Sequence, residues 1–136
     1  MLLRLLLPLM CAIAVTACAT SAGSRDKLTS ALYTYQSTIR WGDLARAMDF
    51  VDPTLRVEQQ PTTLQQKRMQ QLQVVGYYVQ GSEQVAADEV RQVVEIRVVN
   101  KHSQVERSVI DRQVWKWSRK DDAWWLTSGL PDFSPR

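Results

Sequence analysis

Cysteine is nearly absent. Cys11 and Cys18 are the two thiols in 136 residues, and both lie at the amino end. Everything after Cys18 lacks a thiol, which excludes a disulfide framework, cysteine catalysis and a cysteine metal site there. Histidine is scarcer still, with His102 alone, in a polar and turn-rich stretch. A lone exposed histidine gives little support to a zinc site or a histidine-based triad, and no metal or cofactor is expected. The apolar run at the amino end falls short of the about 20 residues that a membrane-spanning helix needs. There is no internal repeat and no low-complexity run. Charge of one sign is not gathered anywhere: the formal charge is +3, and bases alternate with acids, as in Arg91/Glu95/Arg97 and Arg119-Lys120-Asp121-Asp122. A nucleic-acid surface needs its bases clustered on one face, so no nucleic-acid partner is expected.

What is present begins with an address. Arg4 is the single positive charge ahead of an apolar run from Leu5 to Val15, broken only by Pro8, and small residues then lead to Cys18. This is the layout of a secretory signal. Val15-Thr16-Ala17-Cys18 resembles the lipobox of bacterial lipoproteins. The resemblance implies removal of residues 1–17 as a signal peptide, thioether attachment of a diacylglycerol to Cys18 and acylation of its new amino group. More than one acyl chain is what stable anchoring requires, since a single chain binds only marginally. Ala19 and Thr20 follow the cysteine rather than an aspartate, which by analogy with that family implies the outer membrane, with the domain in the periplasm. The alternative is ordinary secretion with cleavage near Ala17 or Ala19, or an uncleaved short anchor. Residues 18–24 are small and polar and read as a lipidated cysteine and tether, leaving 25–136 as one domain. Losing Arg4 lowers the charge from +3 to +2.

The strongest structural signal lies between Glu89 and Ser128, which read as two consecutive β-hairpins. In the first strand Val90, Val94, Ile96 and Val98 alternate with Glu89, Arg91, Glu95 and Arg97. A period of two puts the sets on opposite faces, one buried and one wet. A four-residue turn at Asn100-Lys101-His102-Ser103 sets Val98 against Val105, Val94 against Val109 and Gln92 against Asp111. A second turn at Arg119-Lys120-Asp121-Asp122 sets Trp117 against Trp124, Trp115 against Leu126 and Gln113 against Ser128. The core face then carries Val90, Val94, Ile96, Val98, Val109, Trp115, Trp117, Trp124 and Leu126, with a polar row of Gln92, Asp111, Gln113 and Ser128. Arg107 falls on this face opposite Ile96, which calls for an exposed strand end or a bulge.

Upstream, the pattern is helical. Ser24 is placed to cap a helix running to about Arg40, with Leu28, Leu32, Tyr35 and Ile39 on one stripe. Gly42 ends it. Asp43 caps a shorter helix from Leu44 to about Val51, with Leu44, Ala47, Met48 and Val51 on one side, and Asp52-Pro53 stops that one. Residues 54–60 read as loop. Pro61-Thr62-Thr63 opens a third helix from Leu64 to about Leu72. Gln73 to Gln80 is a strand, and Gly81-Ser82 marks a turn. Helices followed by about four antiparallel strands make an α+β domain, with helices packed on one face of a curved sheet. A helix laid across the concave side of such a sheet encloses a cone, which is a natural pocket.

The order of these pieces carries a second resemblance. A helix, Trp41-Gly42-Asp43, a short helix, Asp52-Pro53, and strands ending in Trp115-Lys116-Trp117, Asp122-Ala123-Trp124-Trp125-Leu126 and Leu130-Pro131 are similar to the nuclear transport factor 2-like superfamily. Its small bacterial lipoproteins are the nearest in pattern. The resemblance covers most of 25–136 and implies a cone-shaped α+β fold. That superfamily holds isomerases, dehydratases, cyclases and many non-enzymatic modules, so the fold alone does not give a function.

Three sets of residues compete as a site. The first is the polar row, with Asp111 as a candidate base and Tyr77 or Tyr78 beside it. An aspartate in an apolar cone has its pKa raised, and a tyrosine hydroxyl stabilises an oxyanion. The catalytic positions of the enzymatic relatives do not match this chain residue by residue. The favoured reading is therefore structural, with Asp111 hydrogen-bonded to Gln92, Arg112 or Arg107, or at the open edge. The second is the aromatic set: Trp115, Trp117 and Trp124 line the cone or pack its core, while Trp125 points outward as a contact surface. The third is Cys18 as a lipidation site. The expected function is a non-enzymatic tethered module that binds an envelope protein or small ligand. The alternatives are a small isomerase or dehydratase using Asp111, and a structural part of an envelope assembly.

Overall fold

The computed structural model describes residues 16–134, with side chains from residue 23 onward. The signal segment up to Val15 and the side chain of Cys18 lie outside that description. The domain is α+β: helices α1 (Thr16–Trp41), α2 (Pro53–Glu58) and α3 (Thr63–Gln70), with a 3-10 helix (Leu44–Phe50) between the first two, precede a four-stranded sheet. Its strands β1 (Leu72–Ala86), β2 (Glu89–Asn100), β3 (Glu106–Ser118) and β4 (Ala123–Leu126) pair antiparallel in sequence order.

Helix α1 begins at Thr16, so residues 18–24 are helical here rather than a loose tether, and Ser24 is not the first cap. The run Ala-Cys-Ala-Thr-Ser-Ala-Gly-Ser contains no proline to break a helix, and its three alanines favour one against the weaker Gly23, Thr20 and serines. A tertiary contact also holds it: the indole Nε1 of Trp124 donates to the Ser24 carbonyl at 2.7 Å. The expected stripe holds, with Tyr35 and Ile39 buried and Leu28 and Leu32 packed partly against the core.

Gly42 ends α1 with its amide on the Thr38 carbonyl at 2.9 Å. A Cβ at Gly42 would sit 2.7 Å from that same oxygen, which only glycine avoids. Asp43 then caps the 3-10 helix by accepting from the Ala45 amide. Leu44, Ala47, Met48 and Val51 are buried together, as the spacing predicts. Much of the stretch 54–60, expected as loop, belongs instead to α2, which starts at Pro53. Asp52 accepts from the Thr54 amide as N-cap and Pro53 takes the first turn, where its missing N–H costs nothing. Helix α3 opens on a capping box between Thr62 and Gln65. It stops at Gln70, and Leu72 already belongs to the sheet.

The sheet departs from expectation in two places. Gly81-Ser82 is not a turn. Strand β1 runs through it, with register shifts at Val74/Gly76, Val79/Gly81 and Gln84/Ala86. A bulge admits an extra residue without ending a strand, and three of them roughen a long edge that would otherwise invite pairing with other chains. The turn falls at residues 87–88, where composition signals it weakly. A neighbouring strand helps to hold it: the Trp117 amide donates to the Asp88 carbonyl at 2.9 Å.

The β2–β3 ladder is displaced by two residues from the predicted one. Val98 faces Arg107, Ile96 faces Val109, Val94 faces Asp111 and Gln92 faces Gln113. The loop closes one residue later than expected, because the Asn100 side chain accepts from the amides of His102 and Ser103, and Gln104 takes a left-handed φ of 58°. A slip of two keeps every residue on its own face, whereas a slip of one would reverse them. Val90, Val94, Ile96, Val98, Val109, Trp115, Trp124 and Leu126 are accordingly buried. Arg107, awkward beside Ile96, sits instead at the half-buried end of β3, where its guanidinium donates to the Phe133 carbonyl. The β3–β4 ladder is as predicted over Trp115↔Leu126 and Trp117↔Trp124. The far edge of β4 is covered by the Asp52 amide, which donates to the Leu126 carbonyl at 3.1 Å.

Candidate functional site

Away from Arg107 at the end of β3, the inward residues of β2 and β3 are apolar except on two adjacent rungs of the ladder. There Gln92 is 7% exposed, Asp111 5% and Gln113 1%. Buried polar groups must be bonded to one another or be costly, and these are largely linked through Gln113. Its Nε2 donates to the Asp111 carboxylate at 2.7 Å and to the Tyr77 hydroxyl at 3.0 Å, while its Oε1 accepts from Trp115 Nε1 at 3.0 Å. Asp111 therefore finds its partner two residues along its own strand, not in Gln92, Arg112 or Arg107. Gln92 lies beside Gln113 across the ladder.

The helix side of this layer is Tyr35 of α1. Its ring meets Trp115 edge-on at 5.3 Å and Phe50 at 5.5 Å, geometries that aromatic quadrupoles favour. Its hydroxyl is buried, with no hydrogen-bond partner among the described residues. Tyr35 carried no sequence signal beyond its place on the apolar stripe. Its burial was legible, but its company with Asp111 was not.

Electrostatics follow from the burial. Desolvation pushes the Asp111 carboxyl up from 3.8 to about 6, although the Gln113 hydrogen bond pulls the other way. Tyr77 is pushed up from 10.0 to about 12, first by burial, with the Asp111 charge adding to it and the Gln113 bond opposing. Tyr35 is held well above the ordinary tyrosine value by burial, then by the charges of Asp111 and Tyr77. The set is thus a carboxyl whose midpoint is raised to about 6, flanked by two hydroxyls that stay protonated.

The other predicted site residues scatter. Ser128 does not join the polar row: it is exposed, and its Oγ accepts from the Val114 amide at 3.1 Å. Strand β4 ends at Leu126, so the row has no fourth strand at that level. Trp115 is buried within the layer. Trp124 is buried and Trp117 half-buried, their rings tilted at 53° with centroids 5.7 Å apart near the β3–β4 turn. Trp125 does not present a free outward ring. It is half-buried, its Nε1 donates to Asp121 at 2.9 Å, and the Arg56 guanidinium lies 5.7 Å from its centroid. Of the two tyrosines of opposite parity, Tyr77 faces inward and Tyr78 is 49% exposed, with Arg97 over its ring at 5.0 Å.

The hollows lie elsewhere. One of about 270 Å³ opens between the 3-10 helix, α3 and the segment after β4, over Met48, Met69, Leu130 and Phe133. Another, wide and shallow, lies between α1 and the β3–β4 turn, beside Lys27, Phe50 and Trp124. Sequence reasoning missed the first, because its walls come from three segments that no local pattern brings together. Among the described residues, no group of three or more histidine, cysteine, aspartate or glutamate side chains is placed to hold a metal. No described helix is long and apolar enough to cross a membrane. The chain matches no family model and no curated protein.

Proposed function

We propose that this chain is a bacterial lipoprotein, anchored through lipidated Cys18 to the outer membrane and carrying one non-enzymatic, nuclear transport factor 2-like binding domain in the periplasm. The observation that carries the reading is Val15-Thr16-Ala17-Cys18 at the end of an apolar segment, in a chain with no later thiol. In this reading the attachment point sits on α1, which continues upstream as far as Thr16 and packs over the sheet. At about 1.5 Å per helical residue, Cys18 stands roughly 9 Å along the axis from Ser24, where Trp124 fastens the helix. The partner in this reading is a membrane together with an envelope protein or small ligand. Fractionating cells that carry Cys18→Ser tests it. The domain leaves the membrane fraction if the anchor is the lipid, and retention there overturns lipidation.

A second reading is favoured by one specific observation. Asp111 is a buried carboxyl pushed up to about 6, and it shares its layer with the unpartnered hydroxyl of Tyr35. Such a pair suits proton transfer at a carbon next to a carbonyl, the isomerase or dehydratase chemistry. Against it, Gln113 already occupies Asp111, and neither hollow described above reaches the carboxylate. Following the Asp111 carboxyl carbon by NMR through a pH titration decides the premise. A midpoint at the ordinary value near 3.8 removes the base.

A further inference from the structure

The groove over Met48 and Met69 has a composition that points to a ligand. Its floor is apolar, made by these two methionines with Leu130 and Phe133, and Arg68 and Asp132 stand on its rim. Methionine floors adapt to flexible apolar guests. Arg68 and Met69 lie three and four residues after Gln65, so α3 turns all three toward the groove.

The two rim charges are not equivalent. The Asp132 carboxylate accepts from the Ser134 amide at 2.9 Å. The Arg68 guanidinium takes part in no hydrogen bond or ion pair among the described residues, and Asp132 is not within ion-pair distance of it. Asp132 keeps its negative charge, so it is the unengaged planar cation of Arg68 that favours a negatively charged head, placed on the Arg68 side of the rim. Arginine binds carboxylates through two parallel hydrogen bonds. The volume of about 270 Å³ lies just below the usual range of ligand pockets, which begins at about 300 Å³. That size fits one short apolar chain.

We infer that this groove binds a small single-chain amphiphile with an acidic head, such as a medium-chain carboxylate. The head pairs with Arg68 and the chain lies on Met48, Met69, Leu130 and Phe133. The inference rests on the ligand-binding half of the function proposed above and is independent of the lipid anchor.

The chain supplies its own reporters. Of its four methionines, Met1 and Met10 precede Cys18, while Met48 and Met69 both line the groove. The test is methyl NMR of the full chain, methionine-labelled and held in nanodiscs of zwitterionic lipid. Met48→Leu and Met69→Leu assign the two signals, and octanoate, octanol and octylammonium are titrated below their aggregation limits. Octanoate is expected to move both methyl signals saturably. Octanol and octylammonium should bind at least tenfold more weakly, and Arg68→Gln should weaken octanoate by about tenfold, as expected for a charge-assisted pair. Absence of a shift with octanoate overturns the proposal. So does equal binding of the alcohol or the amine, or an Arg68→Gln chain that binds octanoate unchanged. Arg68 is exposed at the end of α3, so its substitution leaves the fold intact. Failure here is read at the groove and failure of the anchor in the membrane fraction, so the two stay distinguishable.

Discussion

Gln113 Nε2 donates to the Asp111 carboxylate at 2.7 Å, two residues apart on one strand and both buried. The same amide also serves Tyr77 and Trp115. One side chain therefore satisfies three buried groups, two on its own strand β3 and one on β1. A network of this kind specifies its layer when complete and is costly when broken.

Replacing Gln113 by Leu should therefore cost far more than its volume change suggests. It leaves a carboxyl, a hydroxyl and an indole N–H buried without that partner, at about 1–3 kcal/mol each before relaxation. A total loss of roughly 3 kcal/mol is expected from the urea midpoint. A loss under about 1 kcal/mol would mean that water reaches the layer and that the network is not closed.

Asp111 predicts an unusual pH dependence. Its folded value of about 6 lies above the ordinary 3.8, so the folded chain keeps a proton that the unfolded chain has released. Its contribution to stability is whole below the unfolded value and is lost as pH rises through the folded one. A shift of about 2 units amounts to roughly 3 kcal/mol. Asp52, Glu95 and Asp121 act in the opposite sense, since hydrogen bonds hold their carboxyls below the ordinary range. Comparing the native chain with Asp111→Asn cancels those common terms. The variant should be more stable by about 1–3 kcal/mol at pH 7 and show no advantage near pH 4. Equal stability across that range would place Asp111 in contact with solvent.

Tyr35→Phe should stabilise the protein, which is rare for a fully buried position. The hydroxyl has no partner in the described structure, so its removal relieves desolvation while the ring contacts with Trp115 and Phe50 remain. A gain of about 1 kcal/mol is expected in thermal unfolding. A loss of similar size would reveal a hydrogen bond to a bound molecule or water.

Trp124→Phe keeps the core packing and deletes the bond from Nε1 to the Ser24 carbonyl. Amide exchange in the first described turns of α1 should quicken by about fivefold to tenfold, as loss of about 1 kcal/mol implies. Exchange in β2 should not change. Unaltered exchange at the start of α1 would show that the Lys27–Asp122 pair, rather than the indole, holds it.

Most of the layer order was legible in the sequence, because it follows from periodicity. The alternation of Val90, Val94, Ile96 and Val98 with charged residues, and the spacing of Leu28, Leu32, Tyr35 and Ile39, each select one buried face whatever the neighbours do. The Asp43 cap and the β3–β4 turn rest on a few adjacent residues and were legible for the same reason. Residues 53–58 misled because six residues carry too little pattern to separate a helix from a loop. Gly81-Ser82 misled because a bulge and a turn use the same small residues.

By itself, then, the sequence determined most of the side chains that face inward and the absence of any thiol after Cys18, since both depend on local pattern and composition. Tertiary structure alone decided where β1 turns into β2 and that Gln113 ties β3 to Tyr77 of β1. Those outcomes depend on contacts such as Trp117 with Asp88 and Gln113 with Tyr77, between segments whose separation along the chain hides them. The same holds for the methionine groove: its three walls meet only where residues 130–134 lie beside α3 and the 3-10 helix.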